Sequence, residues 1–127
     1  MAWHDRLRKR KKTGGKKRAF RTHKVYEQGR QPVETLFGET KRKKVKGISR
    51  ISKTKLVKAK YVNVSNPETG STVRLEILDV VRNPANADYN RRGVITKGTI
   101  IRTERGVAKI VSRPGQEGSL SAVVYRE

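Results

Sequence analysis

The chain has 127 residues, 33% hydrophobic and 34% charged, with 32 Lys or Arg against 11 Asp or Glu and a formal net charge of +21. That balance gives one small domain with an appendage, part of which needs a partner to order it. It has no Cys, which excludes disulfides, thiolate metal sites and a cysteine nucleophile, and no apolar run near the ~18–20 residues that span a bilayer.

The basic N-terminus is followed by no continuous apolar segment and is not read as a secretory signal. Ala2 argues against myristoylation, and no C-terminal Cys offers a prenylation site. No membrane partner is expected. The charge is uneven. Residues 1–60 hold 22 Lys/Arg and 4 Asp/Glu, net +18, while residues 61–127 hold 10 and 7, net +3. The first half is a polycation and the second resembles an ordinary soluble domain. Self-repulsion at this density disfavours a compact free state, and a polyanion relieves it.

In chain order, residues 9–18 read "KRKKTGGKKR", seven of ten being Lys or Arg around two glycines. Over the first thirty residues the apolar positions Leu7, Ala19, Phe20, Val25 and Tyr26 keep no period, which predicts loop or extended chain. Residues 31–60 alternate weakly and are rich in β-branched residues. They predict strands with Lys on the solvent side and packed inner faces. "KAKYVNVS" predicts a strand, "NPETG" a turn, and "STVRLEIL" a strand in which Val73, Leu75 and Ile77 alternate with Arg74 and Glu76. "RNPANADYNRRGVITKG" predicts a long irregular connection with one helical turn after Pro84. "TIIRT", "ERG" and "VAKIVS" predict a hairpin, "RPGQEG" a loop and "SLSAVVY" a last strand. Five to seven short strands predict an all-β fold, with a small barrel preferred to a sandwich because closure hides its edges. The expected organisation is an extended basic arm over residues 1–40 and a β-barrel-like domain over 41–127.

Catalytic and metal chemistry find little support. Around Thr13, Gly14, Gly15 and Lys16 the phosphate-loop spacing fails, because Arg10 stands where the first Gly belongs and Lys17 where Ser or Thr belongs. His4 and His23 are the only imidazoles, too isolated for a zinc site. Glu76, Asp79, Asp88 and Glu104 are scattered and read as solvated or salt-bridged. The chain is expected to be no enzyme, with no cofactor, metal or small-molecule substrate.

The basic runs go beyond solubility, which needs a net charge of only roughly 2–8 in a small domain. They predict nucleic-acid contact through phosphates. In the arm the expected contacts are Arg6, Arg8, Lys9, Arg10, Lys11 and Lys12, then Thr13, Gly14 and Gly15 at a bend where backbone approaches phosphate. Lys16, Lys17, Arg18, Arg21, His23, Lys24 and Arg30 continue the series. Lys41, Arg42, Lys43 and Lys44 follow, with Lys53, Lys55, Lys58 and Lys60 spaced beyond them. Since "KRKK" occurs twice, a localisation signal is the bland alternative. Trp3, Phe20 and Tyr26 stack on unpaired bases or anchor the arm to its own domain. In the long connection Tyr89, Arg91 and Arg92 form a second cluster, either binding phosphate with help from Asn83, Asn86 and Asn90 or paired with Asp88 or Glu104. Arg113 is a further contact or part of a plain turn. No base-reading helix is visible, so recognition by shape and backbone is expected, as for structured RNA.

The run "KKTGGKKRAFRTHKVYEQGRQPVETLFGE" resembles the N-terminal signature of the archaeal and eukaryotic small-subunit ribosomal proteins of the S-eight-e family. Thr13, Gly14, Gly15, Lys24, Glu27, Gly29, Arg30, Pro32, Glu34, Thr35 and Gly38 fall on its pattern. "NPANADYNRRGVITKG" and "VSRPGQEG" resemble its C-terminal part, so the likeness covers essentially the whole chain. His23, Gln28, Gly93 and Val111 depart from it. The short length resembles the archaeal form. The resemblance implies a structural, cytoplasmic component of the small ribosomal subunit, with an arm over ribosomal RNA, a surface β-barrel and neighbouring small-subunit proteins as partners. A role in ribosome assembly or general nucleic-acid compaction is the alternative.

Overall fold

Val62 and Val64 alternate with Tyr61, Asn63 and Ser65, and this period of two decides which side of the strand is buried. In the computed structural model of the chain, Val62 and Val64 lie inside while Tyr61 and Asn63 face out. The structure describes residues 9–18, 21–22, 24–27, 29–47 and 49–125, except for the Val25 side chain. These fall into two compact units, Met1–Pro32 and Val33–Glu127.

In the first unit Arg10 and Lys16 form an antiparallel bridge. The turn between them is closed by Lys11 N–H to Gly15 O and Gly14 N–H to Lys11 O, both 3.0 Å. Gly14 has φ 82°, the left-handed conformation that ends a three-residue hairpin loop and that a side chain resists. Gly15 has no such requirement, and among the described residues a Cβ there would meet only Thr13 Oγ1, at 3.8 Å. The bend read from two glycines therefore rests on one of them. Further on, Val25–Glu27 makes one 3-10 turn. The Glu27 carboxylate accepts from Lys24 N–H at 3.1 Å and from the Arg21 guanidinium at 2.6 Å.

The second unit carries strands β1 (Leu36–Phe37), β2 (Lys41–Lys46), β3 (Ser52–Ala59), β4 (Tyr61–Ser65), β5 (Thr72–Arg82), β6 (Ile100–Thr103), β7 (Gly106–Ile110) and β8 (Ser121–Val124). Two short helices interrupt them, α1 (Ala87–Arg91) and α2 (Pro114–Glu117). A three-stranded sheet has the order β1-β3-β2, and β4-β5-β6-β7-β8 close into a barrel. The expected all-β barrel is thus present, with a small sheet beside it in sequence. Closure comes from a parallel seam in which Asn63, Val64 and Ser65 of β4 pair with Ser121, Ala122 and Val123 of β8. The register of β5 shifts between Ile77 and Asp79 and again between Val80 and Arg82. Such bulges bend a strand, and a barrel of few strands needs the curvature.

The core contains Leu56, Val62, Leu75, Ile77, Ile95, Ile101, Ile110 and Leu120. Each fully buried aliphatic side chain contributes roughly 1.5–3 kcal/mol. Thr35 is fully buried and satisfied: its Oγ1 donates to Leu56 O at 2.7 Å, and its carbonyl accepts Ile95 N–H at 2.7 Å.

Two expectations are corrected. "KAKYVNVS" is not one strand, because β3 ends at Ala59 and β4 begins at Tyr61. Ala59 and Val62 both point inward, a spacing of three that no regular strand allows, so the chain changes sheets at Lys60. "RPGQEG" is not a plain loop but holds α2. Pro114 opens this turn with its restricted φ. The N–H groups of Gln116 and Glu117 donate to Arg113 O at 2.9 and 3.0 Å, and Gly118 ends the turn at φ 69°.

Candidate nucleic-acid interface

Lys or Arg at nearly every position of β2 conceals its two sides; the pairing register reveals them. Arg42 pairs with Leu56, Lys43 with Lys55, Lys44 with Thr54 and Val45 with Lys53. Paired residues of an antiparallel ladder share a face, and Leu56 is buried in the core. Arg42, Lys44 and Thr54 therefore lie on the inner side. At Lys41 the register slips, so that its partner is Lys58. This bulge at Val57 turns Lys58 outward and buries Ala59. The outer side of the small sheet consequently carries Lys41, Lys43, Lys53, Lys55 and Lys58. Lys41 faces Lys58 and Lys43 faces Lys55 directly, an arrangement that destabilises a ladder. Among the described residues none of the five has a carboxylate partner; Lys60 is the lysine that does, with Glu76 at 3.2 Å. The expected packed inner face of β2 is corrected too, since Lys41–Lys44 and Lys46 are all exposed and Val45 is half-buried.

The long connection between β5 and β6 folds around its own polar groups. The Asn83 side-chain amide donates to Val94 O at 2.7 Å and Thr96 Oγ1 at 3.1 Å, while its Oδ1 accepts Ala85 N–H at 3.0 Å. Asn86 caps α1 by accepting Asp88 N–H at 3.0 Å, and Asn90 Oδ1 accepts Asn83 N–H at 2.9 Å. These three side chains hold the loop together, and Asn83 is the buried one, where an unpaired amide would be costly.

That loop presents Tyr89, Arg91 and Arg92. Arg91 touches Asp88 at 2.9 Å, yet its side chain is 80% exposed. Arg92 is different, because all three of its nitrogens are engaged. Nη1 and Nη2 grip Glu34 at 2.7 and 2.9 Å, Nε reaches Asp88 at 3.0 Å, and the guanidinium lies 5.7 Å from the Tyr89 ring centre. Its pKa is raised, first by the hydrogen bonds to Glu34 and then by the charges of Asp88 and Glu34. The alternative of a pairing with Asp88 is present; Glu34 stands where Glu104 was considered.

The other predicted residues are divided between the two units. Lys9, Arg10, Lys11, Lys12, Thr13, Lys16 and Arg18 are exposed around the hairpin turn, and Lys17 is half-buried. Arg10 Nη1 donates to Gly14 O at 2.9 Å. Arg21 is committed to Glu27, whose hydrogen bond raises its pKa. Lys24 is exposed, its ammonium 5.9 Å from the Tyr26 ring, and Arg30 is exposed. Arg42 Nε donates to Gly118 O at 3.0 Å. Arg113 supplies the carbonyl that opens α2 and makes no side-chain cap. Trp3, Arg6, Arg8, Phe20 and His23 lie outside the described residues. Sequence reasoning passed over Tyr61, Asn63 and Arg74, which share the outer face of β4 and β5; the alternation with Val62 and Val64 was the signal available.

The profile of the family described as "Ribosomal protein S8e" matches residues 4–125. The chain belongs to the ribosomal protein S8e family. It is 43% identical over 128 residues to "Small ribosomal subunit protein eS8" of Staphylothermus marinus, covering 100% of both chains. The protein of that name from Methanocorpusculum labreanum is 41% identical over 98% of each chain. The one from Sulfolobus acidocaldarius is 40% identical over 100% of each. The similarity is thus to the archaeal form, as its length suggested, and the family is one of ribosomal proteins rather than enzymes. Among the described residues no cluster of three or more His, Asp or Glu could hold a metal ion. No helix there is long and apolar enough to cross a membrane.

Proposed function

We propose that the chain is a structural constituent of the small ribosomal subunit and stabilises folded ribosomal RNA through phosphate contacts. The observation that carries this reading is the outer lysine face of β2 and β3. Cross-strand lysine pairs cost stability in the free protein. Phosphates laid across them remove the repulsion and release counterions. Residues 1–40 act as the RNA-binding arm and 41–127 as the barrel-like domain, with 33–40 already folded into the second unit. The arm contributes Arg6, Arg8–Lys12, the Thr13–Gly15 bend, Lys16–Arg18, Lys24 and Arg30. Lys41, Lys43, Arg91 and Arg113 contribute from the second unit. Neighbouring small-subunit proteins are the remaining partners, and the ribosome in the cytoplasm is the place of action.

Gradient fractionation of cell extract at high salt tests the assignment. Co-migration with mature small subunits is expected; recovery only with precursor particles or DNA would transfer the chain to assembly or compaction. For the lysine face, Lys43→Gln with Lys55→Gln should reduce the slope of log affinity against log salt by about 2. An unchanged slope would remove that face from the interface.

A further inference from the structure

On the side of the small sheet opposite the lysine face, a concavity of about 240 Å³ is lined by Arg42, Leu56, Tyr61, Asn63, Arg74 and Leu120 among others, with no carboxylate in its wall among the described residues. It is smaller than the roughly 300–1,000 Å³ of ordinary cofactor or drug pockets, so it can enclose only part of one nucleotide-sized ligand. Two arginines from different sheets line it. Arg42 is fixed by its Nε bond to Gly118 O at 3.0 Å, which leaves both terminal nitrogens for an anion. The Arg74 guanidinium lies over the Tyr61 ring, its central carbon 4.4 Å from the ring centre. It has no carboxylate partner among the described residues, because Glu76 is taken by Lys60. Asn63 is the cross-strand partner of Arg74, and its amide offers both a donor and an acceptor.

We propose that this pocket binds one unpaired RNA nucleotide, the base stacking on the outer plane of the Tyr61–Arg74 pair and the phosphate seated on Arg42. A guanidinium held over an aromatic ring has a second face on which a base can stack. Arg42 supplies the fork that matches a phosphate. Asn63 meets the polar edge of the base. The lysine face lacks such a platform and binds any phosphate ladder, duplex included. The pocket requires a base that has left its helix. This inference rests on the RNA-binding reading above and adds the class of nucleotide recognised.

The test uses the full chain, a single-stranded adenosine hexanucleotide and an RNA duplex of similar charge. The hexanucleotide should shift the Asn63 side-chain amide and the Arg42 and Arg74 Nε resonances, and ultraviolet cross-linking should map to Tyr61. Tyr61→Leu and Arg74→Gln, on the outer face of the barrel, should weaken single-strand binding by about tenfold or more while leaving duplex binding and the melting temperature nearly unchanged. Arg42→Lys keeps the charge, loses the fork and should weaken the single strand alone. Equal weakening of both RNAs, no weakening, or cross-links only elsewhere would overturn the pocket and leave the general RNA reading standing. Binding of neither RNA by the unsubstituted chain would instead bring down that reading, and the pocket with it. Perturbation of these resonances by an acidic peptide but not by RNA would reassign the pocket to a protein partner.

Discussion

Arg92 grips the carboxylate of Glu34 with two hydrogen bonds, at 2.7 and 2.9 Å, across 58 residues of sequence. Its neighbour Arg91, touching only Asp88, stands 80% exposed. Adjacent arginines of one cluster are therefore held differently. Arg92→Ala should lower the melting temperature modestly, because bidentate geometry exceeds an ordinary surface pair. Arg91→Ala should leave melting unchanged and reduce the salt slope of RNA binding by about 1. Circular-dichroism melts and salt titrations separate the two; a reversed pattern would exchange their roles.

Gly118 closes α2 against β3. At φ 69° a side chain there is already strained, and its Cβ would lie 2.8 Å from Thr54 Cγ2 and 3.2 Å from Thr54 O. Gly118→Ala should cost about 2 kcal/mol or more in urea unfolding. Adding Thr54→Ser removes the Cγ2 clash and should recover only part of the loss, since the backbone strain remains.

Gly14 and Gly15 should respond unequally. Gly14→Ala forces a side chain into the left-handed region, at about 1–2 kcal/mol, and should open the hairpin turn and weaken RNA binding. Gly15→Ala should change neither measurably. Equal effects would mean that backbone approach to phosphate, rather than turn geometry, selects both glycines.

Lys60 and Glu76 give an alkaline signature. The Lys60 pKa is raised above 10.5, first by its hydrogen bond to Glu76 and then by that carboxylate's charge. A group whose folded pKa lies above its unfolded value stabilises fully below the unfolded value, and the contribution fades as pH rises through the folded one. The loss therefore falls above about pH 10.4. Glu76→Gln should flatten that limb in melts between neutral and strongly alkaline pH, with no difference in limb shape at neutral pH.

The lysine face sets stability against binding. Lys43→Gln with Lys55→Gln removes a like-charged cross-strand pair and should stabilise the free protein by about 0.2–1 kcal/mol, while RNA affinity falls. A gain in both would show that the pair costs stability without serving RNA binding.

Much of the barrel was legible because Val73, Leu75 and Ile77 alternate with charged residues in a half-buried strand. The closing strand and the helical turn near Pro84 were legible for similar local reasons. The change of sheet at Lys60 was not, because Lys58, Ala59 and Lys60 keep a plausible alternation while a bulge at Val57 has reversed it. Nor was α2, since Pro114 and Gly118 are turn signals as well as helix signals and four residues hold no period. Among the site residues, charge density pointed to β2 but could not sort its inner from its outer lysines without the register to β3. Glu34 stayed hidden because nothing local links it to Arg92.

The parallel seam between β4 and β8 also has a place in time. Ser65 Oγ donates to Ala122 O across 57 residues, whereas β6 and β7 are joined by a tight local turn. Local hairpins form in microseconds, while a seam between distant strands must first meet its loop-closure entropy. Until it closes, β4 and β8 each offer an unpaired edge to any second chain nearby. Damage at Ala122 would accordingly be seen first in expression yield, as aggregated protein, before any RNA was offered to it.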